Sequence, residues 1–177
     1  WLDLPPPAPW AQARELLLRL GALTAEGNIT AHGRSLLQLG LPPRLAHMVR
    51  RGEALGWAKL ASELAALLSE RDLLNMAGSD LAARVSELRS GRPSPAIRRL
   101  RDAADKVHAR LRGPTKPEGS HALGLLLACA YPDRIALRRP GREPRFLLAN
   151  GRGGRLDEAD PLAREPMLVA AALDGER

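Results

Sequence analysis

The sequence predicts a mainly α-helical chain with a small antiparallel β part at its end, and three observations predict it. Apolar residues recur at helical spacing from Leu16 to Leu23, from Trp57 to Leu68 and again from Ile97 to Leu111. The run Leu20 to Val49 strings together a helix end, a turn, a capped helix and a proline-started helix without a gap. From Tyr131 the pattern changes to short alternating stretches separated by Pro-Gly and Asn-Gly pairs, the chemistry of strands and turns.

Trp1 to Pro9 holds four prolines and reads as an extended lead-in. Leu16, Leu17, Leu20 and Leu23 share helical spacing, and Gly21 stands where a helix C-terminus wants a residue free to take φ > 0, so a helix ends near Leu20. Glu26-Gly27-Asn28, between Ala22-Leu23 and Ile29, is the composition of a tight reversal between two brief strands. Thr30 is a good N-cap for a helix carrying Leu36, Leu37 and Leu39. Leu41-Pro42-Pro43 breaks that helix, and another starts with proline in its first turn. Helix, hairpin, helix, helix over residues 10–52 is the order of a winged helix.

Residues 53–130 read as a second, helical part. Arg51 to Gly56 is a break, after which Trp57, Leu60, Ala61, Leu64, Leu67 and Leu68 form a stripe that marks a core face. Ser79 is a candidate N-cap for a helix bearing Leu81, Val85 and Leu88, ended by Gly91 to Pro95, and Ser94 caps the next. In that helix Ile97, Leu100, Ala104, Val107 and Leu111 keep one face apolar. Gly113 to Ser120 reads as a loop, and Leu123 to Ala130, apolar around its circumference, as a helix buried on all sides. In residues 131–177, Ile135 and Leu137 alternate with Arg134, Ala136 and Arg138. Arg145 to Ala149 is a second strand, and Met167 to Leu173 a third or fourth. An open meander packed on helices is expected.

Charge is uneven along the chain. The formal net charge is +7, and only three of the 27 basic residues are lysine, a bias that genomic base composition is able to produce. Position says more: Arg92 to Arg155 holds 15 basic and 5 acidic residues, +10, which leaves about −3 for the remainder. An anion would bind in the middle. Three i, i+4 pairs, Arg98 with Asp102, Arg101 with Asp105 and Asp102 with Lys106, fit a merely solvated helix face. Arg99 and Arg110 have no acidic residue at that spacing. The candidate nucleic-acid contacts are Arg98, Arg99, Arg101, Arg110, Arg134, Arg138, Arg139, Arg152 and Arg155, acting on a phosphate backbone. Tyr131 and Phe146 are the only aromatics nearby and fit burial better than base stacking.

Other chemistry is weakly spelled. Asp157-Glu158-Ala159-Asp160 has the letters of an ATPase tetrad, but Gly153-Gly154-Arg155-Leu156 precedes it, proline follows, and no Gly-Lys pair exists to make a Walker A loop, so a solvated acidic turn is expected. His32, His47, His108 and His121 are scattered and, with the single Cys129, spell no metal site. Gly151 to Gly154 reads as a glycine-rich hairpin turn. No catalytic residue, cofactor or metal is assigned to this fragment. One cysteine, no signal-peptide pattern and no apolar run near the roughly 20 residues that cross a bilayer predict a soluble, cytoplasmic piece of a longer protein with no membrane partner.

The wording of several stretches carries a family resemblance: Leu20-Gly21-Ala22-Leu23, the Thr30-x-x-Gly33-Arg34 helix start, Leu41-x-Pro43-Arg44-Leu45-Ala46-x-Met48, and Trp57 to Asp72. Further along, Ala130 to Ala136 and Leu147 to Gly153 add to it. Together they resemble the helicase-associated region of bacterial DEAH-box RNA helicases of HrpB type, over nearly the whole chain. The resemblance implies a winged helix, then a helical ratchet, shorter here and broken by two Pro/Gly loops, then the start of an oligonucleotide-binding (OB) barrel. Residues 1–9 become the linker from two ATPase domains that use ATP and Mg²⁺ and lie outside this sequence. The implied partners are single-stranded RNA or DNA and the ATPase domains of the same chain, in a monomer that binds and does not hydrolyse by itself. Two alternatives stay open: a winged-helix regulator reading duplex DNA, disfavoured because Ala31 to Leu39 holds only Arg34 as excess charge, and a protein interaction scaffold.

Overall fold

The computed structural model describes residues 6–69, 74 and 76–173, so Trp1 to Pro5 of the lead-in and the end of the Trp57 to Asp72 stretch lie outside the described residues. Seven α-helices and a four-stranded antiparallel sheet are present among them. Contacts divide the chain into two compact units, Trp1–His47 and Met48–Arg177. No described helix is long and apolar enough to cross a membrane.

In the first unit, α1 (Pro7–Arg19) starts on proline and stops at Leu20, with Gly21 at φ 67°. The chain reverses over Thr24 to Asn28, where the Thr24 N–H donates to the Asn28 carbonyl at 2.8 Å. The arms meet in a single bridge, Leu23 with Ile29, where two brief strands were expected. Neighbouring elements crowd them: Ala22 N–H still bonds back to Leu17 in α1, and Thr30 already caps α2 (Ala31–Leu37). The Thr30 hydroxyl accepts from Gly33 N–H at 2.9 Å and donates to the Gly21 carbonyl at 2.7 Å, locking hairpin to helix. A Cβ at Gly33 would lie 2.2 Å from the Ala22 carbonyl oxygen, so only glycine lets α2 sit this close.

Helix α3 (Pro43–Leu55) begins after the expected break but runs through the second one. Arg51 to Leu55 is helical, and the chain turns only at Gly56, at φ 89°. Gly52 is a contact point, not a breaker: a Cβ there would lie 2.4 Å from that of Ala61. Helix α4 (Ala58–Ser69) is the centre of the second unit. It packs mainly on α6 (Pro95–His108), and also on α5 (Leu81–Ser90) and α7 (Ala122–Ala130). Its burial is broader than a stripe, taking in Ser62 and Glu63, while Leu67 and Leu68 are only half-buried. Ala66, Leu88, Leu100 and Ala104 form one cluster of the helical core.

Asp80, not Ser79, caps α5, its side chain accepting from Ala82 N–H; Ser94 caps α6 as expected. Ser79 is diverted to Asp160, described below. Helix α7 is not buried on all sides, since Leu125 is 50 % exposed. Its Leu126 face meets the core, and the helix touches β4 (Met167–Val169).

The sheet runs β3-β2-β1-β4, with β1 Ile135–Arg138, β2 Arg145–Leu148 and β3 Gly153–Arg155. Two features differ from expectation. The glycine-rich stretch supplies a strand, β3, as well as a turn, and β4 pairs with β1 and not β3, so the sheet is no simple meander. The faces of β1 are also reversed: Ala136 is buried and Leu137 is 60 % exposed. A four-residue strand with apolar residues on both faces does not choose its own orientation. Its partners choose it, because Ala136 pairs with Leu148 and Leu168 and packs in a core with Phe146.

Candidate nucleic-acid interface

Helix α6 is strongly two-faced. Ile97, Leu100 and Ala104 are buried, and on the opposite side Pro95, Arg98, Arg99, Asp102, Ala103 and Lys106 line a shallow depression. Positions three or four apart recur through this set, so one helix face carries three cations against one carboxylate. Arg98, Arg99 and Lys106 are exposed. Lys106, absent from the candidates drawn from the sequence, belongs with them; its helical spacing was the available signal.

Arg101 and Arg134 are set apart from that face by their bonding. Arg101 donates to the carbonyls of Leu88 at 2.8 Å and Arg89 at 3.2 Å, bracing α6 against the end of α5. Arg134 donates to the Ala171 carbonyl at 2.9 Å and lies over the buried Tyr131 ring, 5.1 Å from its centroid. Arg110, just past α6, is exposed.

Register separates the sheet arginines. Arg138 pairs with Phe146 on the inner face, and its Nε is buried with no hydrogen-bond partner among the described residues. Arg139 falls on the other face, beside Arg145, which is itself paired with Arg155. Arg152 is exposed in the turn before β3.

Asp157 to Asp160 forms a turn leading into a short 3-10 segment, Pro161–Arg164, and it is not merely solvated. Asp160 caps that segment through Leu162 N–H at 2.9 Å and also accepts from the Ser79 N–H at 2.9 Å and hydroxyl at 2.7 Å. Burial works against its charge, but the Ser79 and Leu162 hydrogen bonds and the Arg84 charge outweigh it and hold the carboxyl below the usual range. A depressed carboxylate stabilises the fold above its unfolded pKa, and that contribution is lost as pH falls through the folded value. Asp160→Ala is therefore expected to cost about 1 to 2 kcal/mol at pH 7 and progressively less below about pH 4. Urea midpoints of both proteins across that range check it.

His32 and His47 are not scattered. Nε2 of His32 lies 2.8 Å from Nδ1 of His47, so one imidazole donates to the other. No group of three or more His, Cys, Asp or Glu side chains among the described residues is placed to hold a metal ion.

No family model matches the chain. It is 37% identical over 173 residues to the ATP-dependent RNA helicase HrpB of Escherichia coli strain K12, an alignment that covers 98% of this chain and 20% of the relative. A crystal structure of the E. coli DExH-box NTPase HrpB superposes with a TM-score of 0.79 at 37% identity, covering 99% of this chain and 20% of that one. A second, of the E. coli DEAH/RHA helicase HrpB, gives 0.76 at the same identity, covering 96% and 20%. The chain spans about a fifth of the length of the relatives it matches. In sequence and in fold it is similar, along nearly all its length, to one region of an HrpB-type ATP-dependent RNA helicase.

Proposed function

We propose that this chain is the C-terminal accessory module of an ATP-dependent RNA helicase, holding single-stranded nucleic acid while ATPase domains elsewhere in the same protein use ATP and Mg²⁺. Residues 10–52 act as a winged helix that docks on those domains. Residues 53–130 act as a short ratchet, and 131–177 as the start of an OB-like part. The observation that carries the reading is the match to a helicase along 98% of the chain. The cationic outer face of α6 supports it, because an excess of charge on one exposed helix face attracts a phosphate backbone without reading sequence. Arg98, Arg99 and Lys106 on α6 and Arg110 just past it are the contacts assigned, with Arg152 in the turn before β3.

Two measurements test this. The chain alone is expected to release no phosphate from ATP above a buffer blank, with or without RNA; RNA-stimulated release that survives repurification contradicts it. Binding of labelled oligouridylate at low salt is expected to weaken in Arg98→Glu/Arg99→Glu and to survive Arg34→Glu. The reverse pattern, with one duplex DNA sequence preferred, replaces the reading by a winged-helix regulator.

A further inference from the structure

The outer face of the four-stranded sheet, turned away from the Ala136, Phe146 and Leu148 core, is largely apolar. The pairings Leu137 with Leu147 and Leu137 with Met167 set three large side chains side by side across β2, β1 and β4. Leu137 is 60 % exposed, Leu147 40 % and Met167 59 %. Ile135, paired with Val169, extends the patch on one flank. On the other flank Arg139, Arg145 and Arg155 stand in a row, fixed by the Arg145–Arg155 pairing and by the Arg139 N–H donating to the Arg145 carbonyl at 2.8 Å.

We propose that this face docks a protein segment whose apolar side chains cover Leu137, Leu147 and Met167 and whose carboxylates meet Arg139, Arg145 and Arg155. Contiguous exposed apolar surface with a charged rim marks a protein contact. The sign of the rim selects the partner: a carboxylate already closes on Arg145 from Glu143 at 2.7 Å, an exposed pair that an incoming acidic segment can add to. A second copy fits poorly, because it brings an arginine row of its own. A single strand of nucleic acid fits poorly as well, because phosphates meeting the arginines would leave Leu137, Leu147 and Met167 uncovered, and no exposed aromatic ring stands among them to stack a base; Tyr131 and Phe146 are both buried. No residue of α6 takes part, and Arg139 and Arg155, candidate phosphate contacts by sequence, are assigned here to carboxylates instead.

The test uses three labelled octapeptides, alternating Asp-Leu, Lys-Leu and Asp-Ser, titrated into the chain by fluorescence anisotropy, with the bound face mapped by amide NMR. The Asp-Leu peptide is expected to bind at least tenfold tighter than either control and to shift the amides of β1, β2 and β4. Leu137→Ser/Met167→Ser, and separately Arg139→Glu/Arg155→Glu, should each weaken it tenfold while the thermal midpoint holds. Equal binding of Lys-Leu means unspecific apolar adhesion, and equal binding of Asp-Ser means charge alone; either overturns the proposal. So does failure of all three peptides, or oligouridylate shifting the same sheet amides more tightly than the Asp-Leu peptide does.

Discussion

Arg89→Ala is expected to destabilise the Met48–Arg177 unit by about 3 kcal/mol, as removal of one partner from a buried ion pair does. Glu63 lies on α4 with its side chain only 8% exposed, and Arg89 from α5 reaches it through Nε at 2.9 Å. The same guanidinium donates twice to Glu118, each at 2.8 Å, tying the loop after α6 to the bundle. Hydrogen bonds to Glu118 and Glu63 together raise the Arg89 pKa against the effect of burial. The cost comes from stranding the Glu63 carboxylate inside the helical layer. The Glu118 side contributes less, because Arg89 is 37% exposed and water screens that pair. Glu63→Gln in the Arg89→Ala background should therefore recover part of the loss. Chemical unfolding of the three proteins measures this, and an Arg89→Ala midpoint equal to that of the parent contradicts the assignment.

Leu64→Ala is expected to cost about 2 to 5 kcal/mol, the range for truncating a buried leucine where the surroundings cannot collapse. Leu64 is fully buried on α4, the helix that α5, α6 and α7 all touch. Leu126→Ala on α7, also fully buried, should fall in the same range. Leu125→Ala on the outward side of α7 is the internal control, with a change near zero at a half-exposed site. If Leu125 proved the costlier of the two α7 positions, the orientation of that helix would be wrong.

Local signals were legible where one residue type does one job. Thr30 and Ser94 cap the helices they were expected to cap, and Gly21, Pro43 and Gly151 end or begin elements as their backbones dictate. Signals failed where a distant partner decides. Ser79 has the chemistry of an N-cap, but Asp160, 81 residues on, takes its N–H and hydroxyl, and Asp80 caps instead. Gly52 resembles a breaker until Ala61 is seen to need its space. The two faces of β1 could not be told apart, because Leu137 and Ala136 are both apolar and only the pairings with Leu148 and Leu168 say which is inside. The same holds for the candidate contacts. Helical spacing alone gathers Arg98, Arg99 and Lys106 on one face of α6, whereas Arg138 and Arg139, adjacent in sequence, go to opposite faces of the sheet. The Glu63–Arg89–Glu118 cluster joins residues 26 and 29 apart and left no local trace.

The salt dependence of binding to a single strand tests the central claim most directly. If roughly three to five cations on and around α6 displace counterions from a phosphate backbone, log K for oligouridylate falls with log salt at a slope near −2 to −3.5. Charge reversal at Arg98 and Arg99 should flatten that slope by about 1.4, at about 0.7 per contact, and weaken binding to every sequence alike. No measurable slope in the parent chain, or a slope unchanged by the double reversal, contradicts the account and leaves the cationic face of α6 as solvation alone.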